Sequence, residues 1–249
     1  ILTIDANLQE YAEKLMEGKI GSLVAIDPSS GEILALVSAP SYDPSLLSGR
    51  GFSKNFATIQ ADSLKPLFNR PLQAMYPPGS MFKTVQALIA LEQKQVQVDE
   101  IITVNGQLIG DLAPAGRYDI VRALTKSSNN YFFKVFRRVI QQGEYLNPFI
   151  DSRIGYNNWR NFVLQFGFGN KLNIDLPNEK LGFIPSLEFY DKIYGKERWK
   201  FSNIYSLSIG QGELLVTPLQ MANLGVILAN RGHYHTPHLV RKVGTEVLD

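Results

Sequence analysis

The apolar positions near the start of the chain change period, which predicts a helix followed by a β-hairpin. After Asp5, a good N-cap residue, apolar residues recur at helical spacing: Leu8, Tyr11, Ala12, Leu15 and Met16. Two short apolar runs, residues 22–27 and 32–38, then enclose a Pro/Gly turn and predict an antiparallel hairpin. Because these runs barely alternate, we expect the hairpin to be buried on both faces.

The helical period then returns after an interruption. Residues 40–79 contain six prolines and little periodicity, which predicts a long irregular segment. Four helical regions are predicted: one that begins at Ser80, one over 118–140 in two pieces, one that contains Trp159 and ends at Gly167, and one from Thr217 to Asn230. Four poor helix formers, residues 127–130, separate the two pieces. This order of predicted elements, which ends in a strand-like tail, indicates a mixed α/β fold of the α+β kind rather than a repeated βαβ plan.

Composition excludes several classes of protein. The 249 residues are 45% hydrophobic and 19% charged, as expected of a globular protein. Lys and Arg number 25 against 23 for Asp and Glu, a net charge of +2, so the basic excess typical of nucleic-acid binding is missing. The chain has no cysteine, which excludes disulfides, thiolate zinc sites and a cysteine nucleophile, and which fits an extracytoplasmic protein.

The chain begins with Ile1 and contains no apolar run near the length that spans a bilayer, about 20 residues. We therefore expect it to be a piece of a longer protein, with any signal or membrane anchor upstream.

The tetrad Ser80-Met-Phe-Lys83 is the first candidate for chemistry. On a helix, a serine three residues before a lysine shares a face with it, and the lysine can activate the serine if its pKa is lowered by burial. Pro77-Pro78-Gly79 forces an abrupt start that places Ser80 near a helix N-terminus. The alternative is that Ser80 is an ordinary N-cap and Lys83 a solvated surface residue.

Two further motifs are less specific. Ser127-Ser-Asn129, in the break between two helical pieces, offers a hydroxyl and an amide that suit proton transfer and substrate binding, or it is an ordinary interhelical turn. Gly210-Gln211-Gly212 would allow a ligand to approach the backbone closely, but it lacks the third glycine of a dinucleotide-binding fingerprint.

Two remaining clusters favour structural interpretations. His233, His235 and His238 are the only histidines, and since no Asp or Glu nearby completes a set, a metal site is not expected. The aromatic and basic stretch 190–201 is interpreted as a solvated loop face rather than a nucleic-acid groove.

Together, these motifs resemble a class B penicillin-binding protein. Residues 70–84 resemble the stretch that leads into the family's nucleophile, and Ser127-Ser-Asn129 matches its Ser-x-Asn motif. Residues 23–37 resemble its opening hairpin, and 209–222 resemble the start of a late helix. Ala39-Pro-Ser-Tyr-Asp-Pro44 is similar to the elongation-type, penicillin-binding protein 2 group. The resemblance extends over nearly the whole chain.

This resemblance implies a fold, an activity and partners. The fold would be that of transpeptidases and serine β-lactamases, an antiparallel sheet flanked by helices. The activity would be D,D-transpeptidation of peptidoglycan without a cofactor, through catalytic Ser80, Lys83, Ser127 and Asn129 and substrate-binding Gly210, Gln211 and Gly212. Partners would be D-Ala-D-Ala stem peptides, β-lactam antibiotics and proteins of the cell-wall elongation complex. The full-length protein would be anchored in the inner membrane, with this domain on the periplasmic side.

The family's third motif, Lys-Ser/Thr-Gly, does not occur in the sequence, and Lys242-Val-Gly-Thr245 is interpreted as a chance similarity. We therefore expect residues 1–249 to be a transpeptidase domain that stops before that strand and lacks the N-terminal anchor and pedestal domain. Three alternatives stay open: a β-lactam sensor, a β-lactamase or carboxypeptidase of the same superfamily, and a catalytically inactive fragment that acts as a scaffold.

Overall fold

The computed structural model describes residues 1–106, 108–244 and 246–247. The helices are α1 (Ala6–Leu15), α2 (Phe52–Ala61), α3 (Arg70–Gln73), α4 (Lys83–Glu92), α5 (Ile120–Thr125), α6 (Asn129–Ile140), α7 (Pro148–Gln165), α8 (Leu187–Tyr194), α9 (Phe201–Ile204) and α10 (Pro218–Ala229). The strands are β1 (Gly21–Ile26), β2 (Ile33–Ala39), β3 (Ile102–Val104), β4 (Gly116–Tyr118), β5 (Lys242–Val243) and β6 (Glu246–Val247). They pair as β1-β2, β3-β4 and β5-β6, all antiparallel, so the predicted mixed α/β class is confirmed.

The chain forms two compact units. Unit 1 comprises residues 1–76, 169–182 and the described residues from 216 onward, and unit 2 comprises residues 77–168 and 183–215. Within the described part of the chain, no helix is long and apolar enough to cross a membrane.

Unit 1 is built around the predicted hairpin and an aliphatic core. The Asp5 carboxylate accepts hydrogen bonds from the backbone N–H groups of Asn7 and Leu8 and so caps α1, as predicted. Strand β2 alternates between buried and half-buried residues, and β1 is half-buried throughout, so the expectation of burial on both faces was wrong. The core residues are Ile33, Leu72, Leu172, Ile174, Leu219 and Leu239.

The prediction of an irregular segment over 40–79 was only partly correct, because α2 and α3 lie within it. The six prolines are concentrated at the two ends of the segment, at 40–44 and 66–78, and leave the intervening residues free to form α2. Pro71 lies in the first turn of α3, where a proline is tolerated. Phe52 and Phe56, one turn apart on α2, stack with ring centroids 5.8 Å apart.

Unit 2 has an aromatic core that supports the helices of the site. Trp159 of α7 is fully buried, and its ring centroid lies 6.2 Å from Phe82, 5.4 Å from Phe136 and 5.4 Å from Tyr156. The predicted break between α5 and α6 is confirmed. The interpretation of residues 190–201 as a solvated face was wrong for the aromatic side chains, because Tyr190, Trp199 and Phe201 are buried while the lysines at 192 and 196 are exposed.

Candidate active site

Ser80 lies in a short 3₁₀ helix, Gly79–Phe82, that leads directly into α4. Its side chain is exposed, whereas Phe82, two residues later, is fully buried between Trp159 and Phe168. The aromatic core therefore fixes this turn while Ser80 stays accessible. The N-cap position of the turn is Pro78, so the interpretation of Ser80 as an ordinary N-cap was wrong.

Lys83, the first residue of α4, is buried with 1% of its surface exposed, which contradicts the surface-lysine alternative. Its Nζ donates hydrogen bonds to Ser127 O at 2.6 Å, Ser127 Oγ at 3.0 Å and Asn129 Oδ1 at 2.5 Å. Burial lowers the pKa of Lys83 from 10.5 to about 8, although the negative charge of Asp111 acts in the opposite direction. The lowered pKa increases the share of Lys83 that is uncharged near neutral pH and able to accept a proton.

Residues 127–129 are both an interhelical turn and part of the Lys83 site. Ser127 adopts a left-handed conformation, with φ of +51°, and its N–H donates to Leu124 O at the end of α5. The Ser128 hydroxyl then accepts from Tyr131 N and caps α6. This chain reversal places the Ser127 hydroxyl and the Asn129 amide against the same ammonium group, so the two interpretations of the motif are compatible.

Asp111 anchors this segment and was not found from the sequence. Its Oδ2 accepts hydrogen bonds from Ser128 Oγ at 3.0 Å, Asn130 N at 2.8 Å and Asn130 Nδ2 at 3.1 Å. Burial alone would raise the pKa of Asp111, but these bonds and further backbone N–H donors hold it below its ordinary value. A lone aspartate in a loop, 17 residues before Ser128, gives no sequence signal for this role.

The glycine motif at 210–212 lies against the turn that carries Ser80. Gly79 N donates to Gly210 O at 2.9 Å, and a Cβ added at Gly210 would lie 2.3 Å from Gly79 O. Gly210 and Gly212 have φ of +69° and +78°, and Gln211 between them is exposed. The structure therefore brings Lys83 together with Ser127 and Asn129, and Gly210 together with Gly79 beside Ser80, whereas Gly212 packs near Ser206 and Leu207. The catalytic and binding roles of these residues stay predictions.

Two other candidates, the histidine cluster and Lys242, belong to unit 1. The rings of His233 and His235 meet edge to face with centroids 6.0 Å apart. Among the residues that the structure describes, no three His, Cys, Asp or Glu side chains are arranged to hold a metal ion. Lys242 lies in β5, and Thr245, at the other end of the chance similarity, is outside the described residues.

The chain matches a family model and is similar to curated proteins of the same kind. Residues 21–247 match the family described as Penicillin binding protein transpeptidase domain. The chain is 33% identical over 250 residues to the Peptidoglycan D,D-transpeptidase MrdA of Acinetobacter baumannii, covering 96% of this chain and 35% of that protein. It is 32% identical to MrdA of Escherichia coli K12, covering 96% of this chain and 37% of that protein. The chain thus spans about a third of the length of these curated relatives.

Solved structures of penicillin-binding proteins are also similar to this chain. The crystal structure of Pseudomonas aeruginosa PBP2 in complex with WCK 5153 has a TM-score of 0.83 and 32% identity, covering 100% of this chain and 55% of that one. Helicobacter pylori PBP2 in its complex with MreC has a TM-score of 0.81 and 28% identity, covering 96% of this chain and 43% of that one.

Proposed function

Because the chain belongs to the penicillin-binding protein transpeptidase domain family, we propose that it provides the nucleophile of a peptidoglycan D,D-transpeptidase. The observation that supports this proposal best is the buried Lys83, whose Nζ contacts Ser127 and Asn129 three residues after an exposed serine. A lysine buried beside two polar side chains and close in sequence to an accessible hydroxyl is the arrangement that a serine acyl transfer requires.

In this mechanism, uncharged Lys83 takes the proton of the Ser80 hydroxyl while Oγ bonds to the carbonyl carbon of the penultimate D-alanine. The bond from that carbon to the terminal D-alanine nitrogen then breaks. The Ser127 hydroxyl passes a proton to the leaving amine and receives in its place the proton that Lys83 took from Ser80. Asn129 holds the acyl chain. An amine from a second stem peptide attacks the ester carbon and forms the cross-link. The bond from that carbon to Ser80 Oγ breaks, and the proton lost by the amine goes to Oγ.

Residues around the Ser80 turn would bind the substrate. The Gly210–Gly212 segment contacts Gly79 through its backbone, so a peptide bound along it would lie next to Ser80. Gln211 is exposed there and its amide is a candidate partner for the stem peptide. A β-lactam would acylate Ser80 in the same way as the peptide.

We also propose that residues 1–249 are one transpeptidase domain whose Lys-Ser/Thr-Gly strand, N-terminal anchor and pedestal belong to a longer protein. Helix α1 supports this view, since Leu8, Tyr11 and Leu15 on it are 36%, 60% and 46% exposed and would suit a covering element. The longer protein would be anchored in the inner membrane, with this domain on the periplasmic side. Proteins of the cell-wall elongation complex, in the way that MreC accompanies a PBP2 relative, would be its partners.

The test is the intact mass of the chain, and of a longer form that carries it, after incubation with a β-lactam. We expect a stable adduct of one β-lactam that Ser80→Ala abolishes and that Ser202→Ala, at another exposed serine of unit 2, retains. Rapid turnover of the β-lactam would indicate a hydrolase instead. No adduct on either folded form would refute Ser80 as the nucleophile, whereas an adduct on the longer form alone would show that acylation needs the additional strand.

A further inference from the structure

Gln86 is a buried polar residue on α4, one turn after Lys83, and it is 1% exposed. Its side-chain Nε2 donates to Leu207 O at 2.8 Å, and its Oε1 accepts from Trp159 Nε1 at 2.7 Å. Both ends of the amide are therefore satisfied by groups far away in sequence. An apolar side chain of similar size would fill the same space without requiring these partners.

The Leu207 carbonyl connects this amide to the glycine loop. It also accepts from Gly210 N at 3.1 Å, and Gly210 O in turn accepts from Gly79 N at 2.9 Å. Gly79 immediately precedes Ser80, and Gln86 follows it on the same stretch of chain. The hydrogen bonds Gln86–Leu207, Leu207–Gly210 and Gly210–Gly79 and the chain segment 79–86 thus form a closed ring of contacts. Ser80 is one of the residues of that segment.

We propose that Gln86 is a positioning residue for Ser80. By holding Leu207 O at a fixed distance from α4, its amide sets where Gly210 meets Gly79, and therefore where the Ser80 turn lies relative to Lys83. This role rests on the proposed function. It predicts that loss of the amide loosens the turn while leaving the Lys83 contacts with Ser127 and Asn129 in place.

The substitution Gln86→Met keeps an unbranched side chain of similar length and removes the amide. Ser152→Ala is the matched control, because Ser152 is also buried in unit 2 and accepts a hydrogen bond, from Phe201 N, outside the ring. Gln86→Glu is a second variant, since its carboxylate can still accept from Trp159 but, when ionised, cannot donate to Leu207 O.

Two measurements are made on each variant in the longest folded form that carries the chain. The first is the acylation of Ser80 by a β-lactam, separated into noncovalent affinity and acylation rate constant. Because small displacements of a reacting group are costly, both Gln86 variants should slow acylation about tenfold to a hundredfold with affinity within about twofold. The second is hydrogen exchange of the Gly79 and Gly210 amides, which should be at least about tenfold faster than in Ser152→Ala.

The outcomes separate the two proposals. If the unaltered protein is not acylated, the proposed function fails, and the exchange rates alone then decide the role of Gln86. Unchanged exchange at Gly79 in both Gln86 variants overturns the inference, and so does slowing of acylation by Ser152→Ala to the same extent at equal stability.

Discussion

Two segments of unit 2 meet the Ser80–Lys83 turn, and they are held in different ways. Residues 127–130 are held by side chains, through the carboxylate of Asp111 and the ammonium of Lys83. Residues 210–212 are held by a backbone contact between Gly210 and Gly79 that leaves no room for a side chain at Gly210. The first segment therefore depends on contacts with charged groups, whereas the second depends on close packing at Gly210.

The substitution Gly210→Ala should have the largest effect. Its Cβ would lie 2.3 Å from Gly79 O and 2.8 Å from Phe82 Cβ, and the residue is in the left-handed region with φ of +69°. Strain and overpacking together should lower the free energy of unfolding by about 3 to 5 kcal/mol. Chemical denaturation measures this loss, and acylation of Ser80 should be lost with it.

The control for this variant is Gly225→Ala on α10, where no atom lies within 4 Å of an added Cβ. It should raise the free energy of unfolding by about 0.5 to 1 kcal/mol, because alanine favours a helix more than glycine does. A Gly210→Ala variant that is as stable as the parent would show that the glycine loop is not fixed by close contact.

The next largest effect is expected from Asp111→Asn. The amide keeps the shape of the carboxylate, but it accepts fewer hydrogen bonds than the several that Asp111 receives from Ser128, Asn130 and Ala113. We expect the free energy of unfolding to fall by about 2 kcal/mol. Asp62→Asn is the matched control, since that aspartate also accepts from a backbone N–H but is exposed in unit 1.

The same variant should move the pH profile of acylation. Ser80 is activated by the uncharged form of Lys83, so the acylation rate of the parent should rise as the pH passes about 8 and level off above it. The negative charge of Asp111 raises the pKa of Lys83. Its removal should therefore move the midpoint to lower pH. A midpoint that stays in place or moves upward would contradict the coupling between these two residues.

The contrast between the two segments also explains what could be predicted from the sequence. Helix starts at Asp5 and Thr217 were predictable because capping is a local interaction. The pairs Ser80–Lys83 and Ser127–Asn129 were recognisable because the two residues of each pair lie only two or three positions apart in the sequence. Asp111 and Gln86 were not, because each acts through partners distant in sequence that periodicity does not reveal.

The smallest effect is expected from Ser128→Ala, which tests whether the polar anchor is one network or a set of separate bonds. The variant removes the cap on Tyr131 N and the bond to Asp111, and it should lower the free energy of unfolding by about 1 kcal/mol. Because Ser128 and Asp111 share a hydrogen bond, the double variant with Asp111→Asn should cost less than the sum of the two single variants, by at least about 0.5 kcal/mol. Strict additivity in denaturation experiments would mean that each bond acts alone. The Lys83 site would then depend on Asp111 only through its charge, and the pH midpoint in Ser128→Ala would equal that of the parent.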